Sequence, residues 1–215
     1  MEIVDSVEHT EGSKNQMQRR IARQLGIAAA ISLLWVGLAA MAGAQEMVLK
    51  CDAAQTTAAF TLSDVLHTVH GTFQEKRGEV RFDPALGKVS GEIVFDATSG
   101  RSGSDARDRK MHKDVLESGR YPEISFRPDR VDGKVSASGT STVQVHGMFG
   151  IHGAEHEITL PVVVKMAKDN WEASGHFQVP YVKWGLKNPS VLFLRVGDIV
   201  DIDFRAAGTV ASAVP

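Results

Sequence analysis

Beyond the first 45 residues, apolar and polar side chains alternate with a period of two along most of the chain, and this pattern constrains the fold more than any other feature. Successive side chains of a strand point to opposite faces, so alternation predicts strands with one buried face each. Within residues 88–97, Val89, Gly91, Ile93 and Phe95 share a face. Ile124 and Phe126 alternate with Ser125 and Arg127. Residues 134–149 read as one long strand with Val135, Ala137, Gly139, Ser141, Val143, Val145, Gly147 and Phe149 on one side. Ile158, Leu160, Val162, Val164 and Met166 form the next face, followed by Trp171, Ala173, Gly175, Phe177, Val179 and Tyr181. The last strand sets Val196, Val200, Ile202 and Phe204 against Ile199, Asp201, Asp203 and Arg205.

Turn-forming groups punctuate these runs at Asp83-Pro84, Asp132-Gly133, Lys168-Asp169-Asn170 and Asn188-Pro189. One segment departs from the pattern. Residues 104–118 place Met111, Val115 and Leu116 at helical spacing, with Gly119 as the expected stop. Seven or eight one-faced strands and a single helix call for an all-β domain around one core. An antiparallel barrel achieves this and removes exposed edges, and a two-sheet sandwich is the alternative. The small residues on the inward face, Gly91, Ala137, Gly139, Ser141, Gly147, Ala173 and Gly175, fit either a cavity or sharp strand bends.

The first 44 residues are read separately. Residues 25–44, LGIAAAISLLWVGLAAMAGA, carry no charge and follow Arg19, Arg20 and Arg23. A basic start, an apolar run and the small residues Ala42-Gly43-Ala44 are the three parts of a secretory signal peptide, cleaved after Ala44. A single spanning helix is the alternative, but the run is rich in Ala and Gly and ends in small residues. The acidic lead is unusual for such a segment, and a start at Met17 instead of Met1 leaves a short basic one. Residues 1–44 are therefore expected to be a signal peptide and 45–215 one periplasmic or secreted barrel domain, with no membrane anchor after cleavage.

Charge and cysteine content exclude several functions. The 24 Lys+Arg and 26 Asp+Glu give a net charge of −2, no basis for expecting a nucleic-acid partner. The single cysteine, Cys51, excludes a disulfide scaffold and a Cys-based zinc site, and is expected as a half-buried thiol in the first strand. His67 and His70 lie three apart, and His146, His152 and His156 fall near Glu155 and Glu157, so a metal site is worth weighing. No helical H-E-x-x-H is present, and His146 and His152 straddle a turn, so hydrogen-bonded hairpin histidines are expected and no metal. Asp105, Asp108 and Asp114 lie near His112, but no activated nucleophile, G-x-S-x-G elbow, phosphate loop or dinucleotide fingerprint accompanies them. No catalytic residue and no cofactor is expected.

Four stretches carry a family resemblance. Residues 107–126, RDRKMHKDVLESGRYPEISF, resemble the signature of the YceI-like family of exported lipid- and polyisoprenoid-binding proteins. Val69-His70-Gly71-Thr72-Phe73 resembles the family's early V-x-G-x-F strand, residues 152–160, HGAEHEITL, its H-G hairpin, and residues 197–202, GDIVDI, its closing strand. The chain carries Gln55-Thr56-Thr57 where the family usually has a His-Ser pair. The resemblance implies a lipocalin-like barrel of eight antiparallel strands with a short helical excursion, holding a long-chain isoprenoid in an apolar tunnel. Such a chain needs a dry, mostly apolar slot, for which Phe60, Phe73, Phe95, Phe126, Val145, Phe149, Phe177 and Trp184 are candidates. A polar head group would take Arg107, Lys110 or His112 at the rim. A ligand-free structural or partner-binding barrel is the competing reading, separated from the first by a filled interior. A dimer is the assembly to be tested.

Overall fold

Each alternating run becomes an antiparallel strand. A computed structural model describes residues 46–63, 68–191 and 195–212. The expected signal peptide therefore lies outside the described residues, as does His67. The strands are β1 Met47–Cys51, β2 Thr57–Ser63, β3 Thr68–Asp83, β4 Lys88–Arg101, β5 Glu123–Asp132, β6 Gly139–Ile151, β7 Ala154–Met166, β8 Asn170–Val179 and β9 Val200–Ser212. Helix α1, Asp105–Lys110, follows β4 and continues into a π-helical turn, Met111–Val115.

The nine strands close into a ring with eight strand positions. β1 and β2 share one position between β3 and β9, separated by the turn at residues 52–56. β1 pairs Met47 with Phe82 on one side and with Ser212 on the other. β2 pairs Thr57 with Gln74 and with Arg205. From β3 each strand pairs antiparallel with its successor as far as β9, so the ring has no open edge. The 16 residues of β3 span both β1 and β2, with register shifts between Thr72 and Gln74 and between Glu75 and Arg77. Such bulges bend a strand and let one face change parity along its length.

The structure corrects the expected boundaries at several places, and Tyr181 lies beyond the end of β8 and Val196 ahead of β9. The run over residues 134–149 is not one strand, because β6 begins at Gly139 and residues 133–138 form its approach from β5. The helical segment does not stop at Gly119. Its left-handed residue is Glu117, with φ 45°, and the Ser118 N–H donates back to the His112 carbonyl at 3.0 Å. The turn before it widens by one residue, since the Leu116 N–H reaches the Met111 carbonyl at 2.8 Å. Met111, Val115 and Leu116 do share a face and pack on the barrel's largest core cluster.

The H-G pair of the β6–β7 hairpin has a plain physical cause. His152 and Gly153 take φ of 53° and 74°, the two positive values that a two-residue hairpin turn matching strand twist requires. Gly153 also leaves room for the Tyr121 ring, 2.5 Å from where a Cβ would sit. At the opposite end of the barrel Val80, Phe82 and Val89 form one cluster, and Met166, Trp171 and Ala206 another.

Candidate functional site

A cavity of about 620 Å³ runs inside the ring. Phe60, Phe73, Phe95, Phe126, Val145, Phe149 and Phe177 line it, brought together from β2 to β6 and β8. One end is closed by Phe82, Val89, Met166 and Trp171, all buried. The other is bordered by Ser102, Ser104, Ala106, Arg107, Lys110, Pro189, Val191 and Val196, of which Ala106, Arg107 and Val191 are exposed. Polar side chains on the wall are therefore concentrated at this mouth, with Ser125 and Arg205 as the others.

Two expected residues sit elsewhere. Trp184 is off the cavity wall; its ring stacks on His156, centroids 4.0 Å apart and nearly parallel, and approaches Phe149 at 5.8 Å. His112 is also off the wall, with both ring nitrogens engaged. Nδ1 meets the Ser118 hydroxyl at 3.1 Å, and Nε2 lies 3.0 Å from the Gly100 carbonyl, to which it donates. This imidazole pins the helical excursion to β4.

The neighbouring motif residues hold the mouth in shape. Buried Asp108 accepts from the Ser102 N–H at 2.8 Å and the Ser102 hydroxyl at 2.5 Å. Burial opposes its charge, yet these two donors and Arg101 hold its carboxyl below the usual range. Arg107 donates through Nε to the Ser102 hydroxyl and through Nη2 to the Ser102 carbonyl, each at 2.9 Å. Lys110 Nζ donates to the Pro189 carbonyl at 2.7 Å and ties the helix to the connection between β8 and β9. Tyr181 Oη fastens that connection again at the Gly197 carbonyl, 2.7 Å away.

The small inward residues divide unevenly between their two explanations. Only Ala173 among them lines the cavity. A Cβ on Gly147 would meet Pro128 Cα at 2.7 Å, and one on Gly175 would meet the Phe204 ring and the Pro161 carbonyl at 2.6 Å. These glycines mark where a strand or ring crosses close by, which a side chain would block. Gly71 does the same in the V-H-G-T-F strand, because the ring of its pair partner Phe60 lies over it.

Sequence reasoning missed one inward polar group. Glu75 is 8% exposed, and neither carboxylate oxygen meets a hydrogen-bond donor in good geometry. Its polar neighbours are the Cys51 thiol and the buried Thr56 hydroxyl, where the β1–β2 break opens beside β3. Burial raises the Glu75 carboxyl above the ordinary range and pushes the Cys51 thiol up to about 12. The usable signal was its place two residues after Phe73, on the face that alternation turns inward.

The histidines serve local contacts. His146 sits between Asp129 at 2.7 Å and Glu157 at 2.8 Å, and these carboxylates raise its pKa. Burial lowers that of His156, whose Nε2 has no partner. His152 packs on the Tyr121 ring and lies 3.3 Å from Glu117. Among the described residues no three His, Cys, Asp or Glu side chains converge as metal ligands.

A family model described as YceI-like domain matches residues 49–207, from β1 into β9. The chain belongs to the YceI-like family. No curated protein sequence matches it. Among solved structures, Burkholderia cenocepacia BcnA is similar at 21% identity, covering 74% of this chain and 99% of its own, with a TM-score of 0.61. A polyisoprenoid binding domain from Saccharophagus degradans, implicated in plant cell wall breakdown, matches at 15% identity over 75% of this chain and 98% of its own, TM-score 0.57. The Campylobacter jejuni YCEI protein matches at 16% identity over 67% and 86%, TM-score 0.53. At these identities the likeness establishes the barrel fold that this YceI-like chain shares with them.

Proposed function

We propose that the protein is a periplasmic or secreted carrier that encloses one long apolar chain, an isoprenoid or a lipid of similar shape, and performs no covalent chemistry on it. The observation that carries this reading is the cavity. Its volume of about 620 Å³ lies within the roughly 300–1,000 Å³ of small-molecule sites, and its wall is almost wholly apolar. A filled barrel interior, which the ligand-free alternative requires, would leave no such space. The S. degradans neighbour, described as a polyisoprenoid binding domain, supports the same ligand class.

In this reading Phe60, Phe73, Phe95, Phe126, Val145, Phe149 and Phe177 enclose the chain, while Arg107 and Lys110 meet a polar head group at the mouth. Affinity comes from removing apolar surface from water, about 25 cal/mol per Å², less the cost of ordering a flexible chain. His112 and Trp184 act indirectly by holding the mouth and the wall. Native mass spectrometry of protein purified from its host tests the proposal. A stoichiometric adduct with an isoprenoid fragmentation pattern is the expected result. Protein that emerges free of ligand and takes up no added polyprenol would overturn it. Ala173→Trp, which projects a ring into the cavity, should lower polyprenol uptake at least tenfold while leaving the strand signal in circular dichroism intact.

A further inference from the structure

Four large apolar residues are conspicuously exposed among the described residues: Leu86, Val163, Val191 and Ile199. Two of them, Val191 at 52% and Ile199 at 47%, belong to the connection that borders the cavity mouth. Exposed Ala106 on α1 completes an apolar rim on the other side of the opening. The Lys110–Pro189 hydrogen bond joins helix and connection at the mouth.

Cations are frequent on the same two segments. Arg107, Arg109 and Lys113 project from the helical segment, and Lys187 and Arg195 from the connection, all exposed. With Lys110 and Lys183 as the further cations, they stand against Asp105, Asp108, Asp114, Glu117 and Asp198 on the same segments. Asp198 accepts from Asn188 Nδ2 at 2.7 Å, and Asp108 is buried on Ser102. The rim is thus net positive on a chain whose overall charge is −2. Exposed aliphatic side chains beside Lys and Arg on the same segments match the layered chemistry of an anionic bilayer, with phosphates outside and hydrocarbon beneath.

We propose that the cavity mouth docks on an anionic lipid bilayer surface, with Val191 and Ile199 entering the interface and the cations of the same segments meeting lipid phosphates. This rests on the carrier reading, because docking would let an apolar chain pass between bilayer and cavity without crossing water. A carrier whose only opening faced solvent would have to expose the whole chain at each transfer.

Vesicle co-sedimentation of the protein as recovered from its host, its N-terminus fixed by mass, tests the proposal. Binding to vesicles of phosphatidylglycerol and phosphatidylcholine should exceed binding to phosphatidylcholine alone at least tenfold and fall as salt rises past about 0.1 M, where screening reaches roughly 10 Å. Arg109→Glu with Lys187→Glu should weaken binding to the anionic vesicles at least tenfold, at about fivefold per charge removed. Val191→Ser with Ile199→Ser should weaken it without altering its salt dependence. Binding that ignores vesicle charge and all four substitutions would overturn the proposal. Polyprenol uptake from a detergent solution, measured on the Arg109→Glu with Lys187→Glu variant, should be unchanged. Failure of uptake with charge-dependent docking retained would count against the carrier reading alone, and normal uptake without charge-dependent docking against the docking surface alone.

Discussion

The two ends of the barrel are fastened differently. The closed end is side-chain packing: Phe82, Val89, Met166 and Trp171 meet across short β connections and are all buried. The mouth end packs Leu116, Tyr181 and Leu186 of a helical excursion and a long connection into the largest core cluster, and adds directed polar contacts through Ser102, Asp108, His112, Lys110 and Tyr181. Packing has no preferred direction and a high cost of disruption. Hydrogen bonds fix a shape while adding little net stability each. The molecule therefore packs both ends and adds shape-defining polar contacts around the opening.

That contrast can be broken by experiment. The largest effect is expected from Trp171→Ala, which removes a ring 4% exposed at the closed end and should cost about 3–5 kcal/mol in denaturant unfolding. A cost below about 1 kcal/mol would mean that this end is not the stable one. Asp108→Ala leaves the Ser102 N–H and hydroxyl without their acceptor. It should cost about 1–3 kcal/mol globally, and hydrogen exchange should speed up over residues 102–118 while the closed end keeps its protection. Uniform acceleration would show that the two ends unfold as one unit.

Glu75 gives the smallest effect and the opposite sign. Its folded pKa lies above its unfolded value because burial disfavours the charge. Its contribution is therefore fully present below the ordinary Glu range and is lost as pH rises through the folded pKa. Glu75→Gln removes that loss and should stabilise the barrel by about 1 kcal/mol at neutral pH, with no gain in acid. Thermal melts of both proteins across pH would show it. A variant less stable than the parent at neutral pH would mean that Glu75 gains a partner on ionising.

The strands were legible because each exposes one face and buries the other, a condition that repeats every two residues. Phe95, Phe126, Phe149 and Phe177 on the cavity wall followed from the same parity, whereas Phe60 and Phe73 were named only once the family resemblance implied a tunnel. Parity failed where the backbone breaks it. The β3 bulge after Glu75 moves the inward face from the parity of Phe73 and Glu75 to that of Val80 and Phe82, and residues 133–138 leave the strand although their alternation continues. Glycine was ambiguous for a different reason: a missing side chain leaves room equally for a ligand or for a neighbouring ring, and Gly175 turned out to make room for Phe204. The mouth was the least legible part. Contacts such as Lys110 with the Pro189 carbonyl join residues far apart in the chain through a backbone atom, which leaves no trace in residue type.

The split strand position has a consequence for the order in which the molecule can be made. β1 and β2 lie at the beginning of the barrel and complete their pairing only with β9, as in Cys51 with Gly208 and Thr57 with Arg205. Chain synthesis runs from the N-terminus, so both early segments must wait, with one side unpaired, until the final strand has emerged. A hairpin can zip as it appears, but this ring can be sealed only by its last piece, and such distant pairings make folding slow. Until then the unpaired backbone of β2 and β8 is open to other chains. The closing step, and not the hairpins before it, is where this barrel is most exposed to going astray.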